Sequence, residues 1–424
     1  MAEAQPDIAA GSTVRPPPLP WRAIAAGIAL TAILRTIWAL AVPFEPVSDS
    51  GAYFAFASNI VAGGGYGWEP NEPSAYWAVG PAAIYAAAFA LLGPGKLAVV
   101  LTNIVAATLC TAAATTIADR WFGRRHAWVA AALFSVWPTM IMFTTALNSE
   151  QLFATLLLLT LVVIDPMRPH AWARSAWAGP LAAVMALVRP TGLLIPAAVA
   201  GTRFLRGRGF VKPIAAGLLT TGIMLACIAP WTVRNYNVFG EVVLISTNGG
   251  PNFWMGNNPK TNGRYTPLPD DAVDLPEPER ATVLKARALE YIKAEPLAFA
   301  TRTASKFVMQ HATETIGVVW NEPALTNRFG AWIIKPLKAV STGFWLATLA
   351  GAAAGMAMLA WKKGLWSAVT HPAFLLWGYF ATVHAITVIQ DRYHLQWSPM
   401  VMLLATLPIV AAWSKLRPSE PGAS

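Results

Sequence analysis

Runs of apolar residues long enough to cross a hydrocarbon core of about 30 Å recur from Trp21 to Trp413, and they constrain the chain more than anything else in it. Inside a bilayer no water satisfies the backbone, so runs of this length are compatible only with helices. Only 12% of the residues are charged against 55% hydrophobic, and a soluble domain carries roughly twice that charged fraction. The expected class is therefore an all-α polytopic membrane protein.

The formal net charge of +10 does not point to nucleic acid. The basic residues fall in short clusters between apolar runs, as the positive-inside rule expects, rather than in one patch. Cys110 and Cys227 both lie inside apolar runs, where a thiol behaves as a small hydrophobe, so neither a disulfide framework nor a metal cluster is indicated. Residues 1–20 form a Pro-rich tail without a cleavable signal pattern, and residues 21–42 read as an uncleaved signal anchor.

Arg15 and Arg22 place the N-terminus in the cytoplasm, which puts a first loop, residues 43–78, on the outer side. Residues 79–93 are too short to span and read as a dipping helix, followed by spans at 97–118, 127–146 and 151–164. Two short spans, 175–188 and 191–200, meet at Arg189 and Pro190 on the outer side, and the basic stretch 202–212 is inside again. Beyond a span at 213–231 comes the one large polar segment, 232–338, which reads as a periplasmic loop with amphipathic helices lying on the membrane surface. Spans at 339–360, 367–389 and 395–413 complete a total of about ten, with the 415–424 tail and the N-terminus both cytoplasmic. The domain plan is thus a 21–231 transmembrane module, the 232–338 loop region and the 339–414 helices. No internal repeat is evident, which counts against inverted-repeat transporter plans.

This threading gathers Asp49, Glu69, Glu72, Glu150, Arg189, Arg234, Asp391 and Arg392 at the outer interface. Carboxylates facing arginines suit phosphate chemistry: arginine forks onto phosphate, and a carboxylate can activate a nucleophile or hold a divalent cation. Asp49 follows Ser48, a good N-cap, and sits where the helix dipole favours its ionised form. As an isolated Ser-Asp pair it reads equally as a helix start. Arg189 and Arg392 oppose the positive-inside bias and need a local reason, either a phosphate or snorkelling to headgroups. The Asn/Gly-rich stretch 245–265, with Asn248, Trp254 and Asn257, reads either as tight turns or as a polyol cradle whose indole stacks on a sugar.

Taken in order, these pieces resemble the membrane glycosyltransferases of the GT-C fold, in particular the dolichyl-phosphate-mannose protein mannosyltransferase and aminoarabinose transferase group. The resemblance rests on SDSGAYFAFASNIVAGGGY, NSE, LVRPTGLL, APWTVRNY with the STNGG and GNNP turns, EYIKAEP and DRYH. It implies a GT-C-like fold and transfer of a hexose or pentose from a polyprenyl-phosphate donor to a glycan, lipid or protein acceptor, with inversion at the anomeric carbon. Asp49 would be the catalytic carboxylate, with Glu150 assisting. Arg189, Arg392 and Arg234 would hold the phosphate, and Tyr53, Tyr76, Asn248, Trp254, Asn257, Tyr393 and His394 would contact substrate. No cofactor is firmly implied, although Asp49 and Glu150 could share Mg or Mn. Membrane lipids are expected partners and nucleic acid is not. AYWAVGP stands at residues 75–81 where family members often carry a Tyr-Arg-Pro-Pro-Gly-like run, and RYHLQWSP matches the usual Arg-Tyr-x-x-Pro ending only in part. Three rivals stay open: a lipid-linked saccharide flippase, an O-antigen ligase or polymerase using a diphosphate donor, and a non-catalytic assembly subunit, against which the outer carboxylate pair argues.

Overall fold

The structure is a computed structural model that describes residues 18–168 and 172–416. Arg15, most of the 1–20 tail, residues 169–171 of the basic stretch after the fourth expected span, and residues 417–424 lie outside the described residues. The described chain is helical throughout, with a single isolated bridge between Gly67 and Pro73.

Five helices, Trp21–Ala41, Lys96–Phe122, Val211–Phe239, Ala331–Lys363 and Ser398–Leu416, are long and apolar enough to cross a membrane. A sixth span arises if Arg124–Ser135 and Pro138–Thr145, bent by 50°, are taken together. The sequence reads one continuous span there; Pro138, which has no N–H to donate, sits at the first position of the second piece and sets the break. Gly80–Leu92, Glu150–Val163 and Pro372–Ile386 are shorter apolar helices. The ten-span threading counts the last two of these as crossings as well and reads the first as a dipping helix. This is a multi-pass membrane protein.

Packing depends on small residues that let backbones approach. A Cβ on Gly355 would stand 2.3 Å from the Leu404 carbonyl oxygen, where Ile334–Lys363 crosses Ser398–Leu416. One on Gly80 would stand 2.5 Å from the Leu187 oxygen, so the Gly80–Leu92 helix seats directly on the turn that carries Arg189. Lys96–Phe122 lies among Trp21–Ala41, Arg124–Ser135 and Glu150–Val163. Thr31 bonds Thr111 at 3.0 Å and Ser135 at 2.9 Å, a buried hydroxyl cluster joining three of these helices.

At the opposite end of the chain's polar inventory, Pro296–Met309 is an amphipathic helix docked by one residue. Lys306 is buried, and its Nζ donates to the carbonyls of Gly256 at 3.0 Å, Ile386 at 3.4 Å and Thr387 at 2.5 Å. Burial, with Arg302 nearby, lowers its pKa from 10.5 to about 8. The sign of the consequence follows: between those values the unfolded chain holds a proton that the folded chain has released, so this residue makes stability rise with pH. Thermal unfolding at a series of pH values from 7.5 to 10.5 is expected to show that rise in the wild type and to lose part of it in Lys306→Met. The same variant is expected to be less stable by about 1–3 kcal/mol, the cost of stranding the caged carbonyls.

Candidate active site

The Asp49–Val61 helix begins the site. Asp49 occupies its first turn as the sequence predicts, but Ser48 makes no capping bond. Ser48 has φ 52° and ψ −133°, a strained conformation for serine, and its Oγ lies 3.5 Å from Asp49 Oδ1 rather than on a backbone N–H. One residue along, buried Ser50 accepts a bond from the Leu147 N–H at 2.9 Å. That contact ties the first loop to the segment before Glu150.

Glu150 starts the next short helix and is held from below by a polar network. The Tyr85 hydroxyl donates to Asn103 Oδ1 at 2.7 Å and accepts from the Asn148 N–H at 3.1 Å. Asn103 Nδ2 donates to the Phe143 and Ala146 carbonyls, and Gln151 Nε2 donates to the Asn103 carbonyl at 2.6 Å. Every member is buried, and although Gln151 Oε1 has no partner among the described residues, the bonds that are made fix the backbone around them.

The four charged groups form an alternating ladder. Arg392 Nη2 meets Asp49 Oδ2 at 2.7 Å, and its Nη1 lies 3.7 Å from Glu150 Oε1. Glu150 Oε1 also accepts from Arg189 Nη2, and Arg189 Nε donates to Ser149 Oγ at 3.0 Å. Gln390 Oε1 accepts from Arg392 Nε at 2.9 Å. The Tyr393 ring lies 5.4 Å from the Arg189 guanidinium and 5.7 Å from that of Arg392. Burial opposes the charge on Arg392, but Asp49 and Glu150 outweigh it and hold its pKa above the ordinary value. Burial, then Asp49, pushes the Tyr53 phenol up, and burial pushes Tyr76 up to about 12, so both hydroxyls stay protonated.

A cavity of about 280 Å³ opens beside this ladder. Of the residues singled out by sequence, Asp49, Tyr53, Tyr76, Arg189, Asn248, Arg392 and Tyr393 line it. Glu150 lies fully buried behind the arginines. Four others sit elsewhere. Arg234 donates to the carbonyls of Ser74 at 2.7 Å and Tyr66 at 3.1 Å, and so braces the first loop. Trp254 packs with Met255, Val388 and Tyr393, and Asn257 Nδ2 bonds the Phe253 and Ile386 carbonyls. His394 is buried against Glu314 at 3.1 Å. The sequence reading missed Tyr265, His384 and Gln390, which line the cavity. His384 carried a usable signal, an ionisable residue inside an apolar run.

The fold and the order of the site residues bear comparison with known proteins. The family model of dolichyl-phosphate-mannose-protein mannosyltransferase matches residues 78–233. Among solved structures, the oligosaccharyltransferase AglB of Archaeoglobus fulgidus, in complex with an inhibitory peptide and a dolichol-phosphate, is 12% identical; the match covers 96% of this chain and 52% of that one, with a TM-score of 0.50. The Archaeoglobus fulgidus enzyme tethered to an acceptor peptide gives a TM-score of 0.55 at 12% identity, covering 94% and 50%. The chain has the GT-C fold. It spans about half the length of that archaeal enzyme. ArnT of Cupriavidus metallidurans, bound to undecaprenyl phosphate, is 15% identical over 87% of this chain and 77% of its own, with a TM-score of 0.44. No curated protein sequence matches.

On this GT-C scaffold Asp49 and Glu150, the pair that could share Mg or Mn, both face Arg392. The Arg392 guanidinium bridges Asp49 and Glu150, and among the described residues no group of three His, Cys, Asp or Glu side chains comes together. The ladder has a measurable consequence. Arg392→Gln leaves two carboxylates short of a partner and is expected to destabilise the protein by about 3–5 kcal/mol, read as a fall in the thermal midpoint. Adding Glu150→Gln is expected to restore part of the loss; a single variant that unfolds at the wild-type temperature would rule the ladder out as a stabilising element.

Proposed function

We propose that this protein is a glycosyltransferase that takes a sugar from a polyprenyl-phosphate carrier and passes it to a lipid, polysaccharide or protein acceptor at the outer face of the bacterial inner membrane. The observation that carries the reading is the cavity walled on one side by Asp49, Arg189 and Arg392, with tyrosines and Asn248 around it. The family match supports it, as does the dolichol-phosphate bound by the archaeal neighbour of the same fold.

The chemistry follows from the charges. A sugar phosphodiester needs charge stabilisation on its departing phosphate more than it needs protonation, and Arg189 and Arg392 supply two guanidiniums for that charge. Asp49 is held by Arg392 at 2.7 Å and lines the cavity, where it serves as the base. It takes the proton of the acceptor hydroxyl as that oxygen attacks the anomeric carbon. The carbon–oxygen bond to phosphate breaks on the opposite side, its electron pair leaving with polyprenyl phosphate. One displacement inverts the anomeric centre. Glu150, buried behind both arginines, holds them in place and does not itself line the cavity.

In this reading the ends of the bundle divide between the two compartments, with the Asp49 end outward and both termini in the cytoplasm. The sugar and the acceptor are open choices that a donor panel resolves. Purified protein incubated with a series of polyprenyl-phosphate sugars is expected to release polyprenyl phosphate from one of them. Asp49→Asn is expected to reduce that release by roughly 10²–10⁴-fold, the usual contribution of a positioned base, and EDTA to leave it unchanged. Near wild-type release by Asp49→Asn would remove Asp49 from the mechanism. No release from any donor, together with passage of lipid-linked saccharides across vesicles containing the protein, would replace the reading with a flippase.

A further inference from the structure

Arg392 lies on a turn whose neighbours on both sides are anchored by two consecutive residues. Thr315 Oγ1 donates to Asp391 Oδ2 at 2.5 Å, and Glu314 Oε2 meets His394 Nε2 at 3.1 Å with both residues fully buried. Glu314 Oε1 accepts in addition from Trp137 Nε1 at 2.9 Å. Five residues on, the Trp320 ring lies 5.1 Å from the Arg392 guanidinium. Next to it Asn321 Nδ2 donates to the Met142 carbonyl at 3.0 Å, and Asn321 Oδ1 accepts from Thr145 Oγ1 at 2.8 Å. Residues 314–321 therefore grip two things at once: the turn that carries Arg392, and the stretch 137–145 that leads into Glu150. Gly317 permits the close seating, since a Cβ there would stand 3.1 Å from Thr139 Cα.

The grip sets a distance. Arg392 Nη1 stops 3.7 Å from Glu150 Oε1, beyond hydrogen-bonding range, and although buried it has no hydrogen-bond partner among the described residues. A guanidinium free to move would close onto the carboxylate, because an unmade bond at a buried charged donor is costly. An anchored backbone on both sides of Arg392 prevents the closure and leaves one N–H turned toward the ladder unused.

Building on the proposed function, we propose that residues 314–321 are the device that spaces Arg392 from Glu150, with Glu314, Thr315 and Trp320 as positioning residues, so that Nη1 is kept for an oxygen of the carrier phosphate. None of the three lines the cavity. They act through Arg392, and the effect of losing them falls on donor binding rather than on the proton transfer at Asp49.

The test uses the full chain and the donor that the panel identifies. Thr315→Val keeps the side-chain shape and removes the hydroxyl. It is expected to raise the KM for donor roughly tenfold, the scale of one bond to a charged group, while kcat and the KM for acceptor stay within about twofold. Thr315→Ser, which retains the hydroxyl, is expected to behave as wild type. In an Arg392→Lys background, Thr315→Val is expected to add nothing further, because residues acting through one group are not additive. Glu314→Gln gives the same donor-specific shift and decides the matter if Thr315→Val does not fold. A donor KM unchanged in both Thr315→Val and Glu314→Gln, equal losses in Val and Ser, or full additivity with Arg392→Lys would overturn the positioning role while leaving the glycosyltransferase reading intact. A wild type that releases polyprenyl phosphate from no donor would instead overturn both.

Discussion

Everything at the working end of this protein depends on a charge that has been taken out of water. A buried ion costs several kcal/mol unless it is paired, and a pair tolerates burial only with close geometry. Here two carboxylates and two guanidiniums alternate, Asp49 to Arg392 to Glu150 to Arg189, so that each inner member touches two of opposite sign. The four come from the first loop, the start of one short helix, the junction of two others and the turn before the last helix. Bringing them together is what fixes the relative placement of those elements.

The supporting structure is arranged for that purpose. Gly80 lets one helix rest on the carbonyl of Leu187, two residues before Arg189. Tyr85, Asn103, Asn148 and Gln151 lock the peptide that precedes Glu150. Glu277 accepts from Ser74 Oγ at 2.7 Å and the Ala75 N–H at 2.8 Å, stitching the first loop to the long polar segment. Each device is local and short-ranged, and each acts on backbone rather than on the charged tips, which are left to find one another.

Membrane class, helical architecture and the fold were legible in the sequence because hydrocarbon thickness and backbone satisfaction leave few choices. Asp49, Glu150, Arg189 and Arg392 were legible individually, as charges at the ends of apolar runs. Their mutual pairing was not: Asp49 and Arg392 are 343 positions apart, and no local pattern announces such a contact. The same blindness explains Arg234, His394, Trp254 and Asn257, which face carbonyls, the buried Glu314 carboxylate or apolar neighbours rather than the cavity. The direction a side chain takes at the end of a helix is set by tertiary packing, which no local pattern in the sequence records. Pro138 is the opposite case, a break that the residue type itself dictates once the helix is known to reach it.

The bond from Gln151 Nε2 to the Asn103 carbonyl also fixes a depth. It sets Glu150 level with residue 103 of the neighbouring helix, which continues past that level to Lys96. Seven further residues at 1.5 Å each put the end of that helix about 10 Å above the carboxylate. The ladder therefore lies about 10 Å short of the end of that helix rather than level with it.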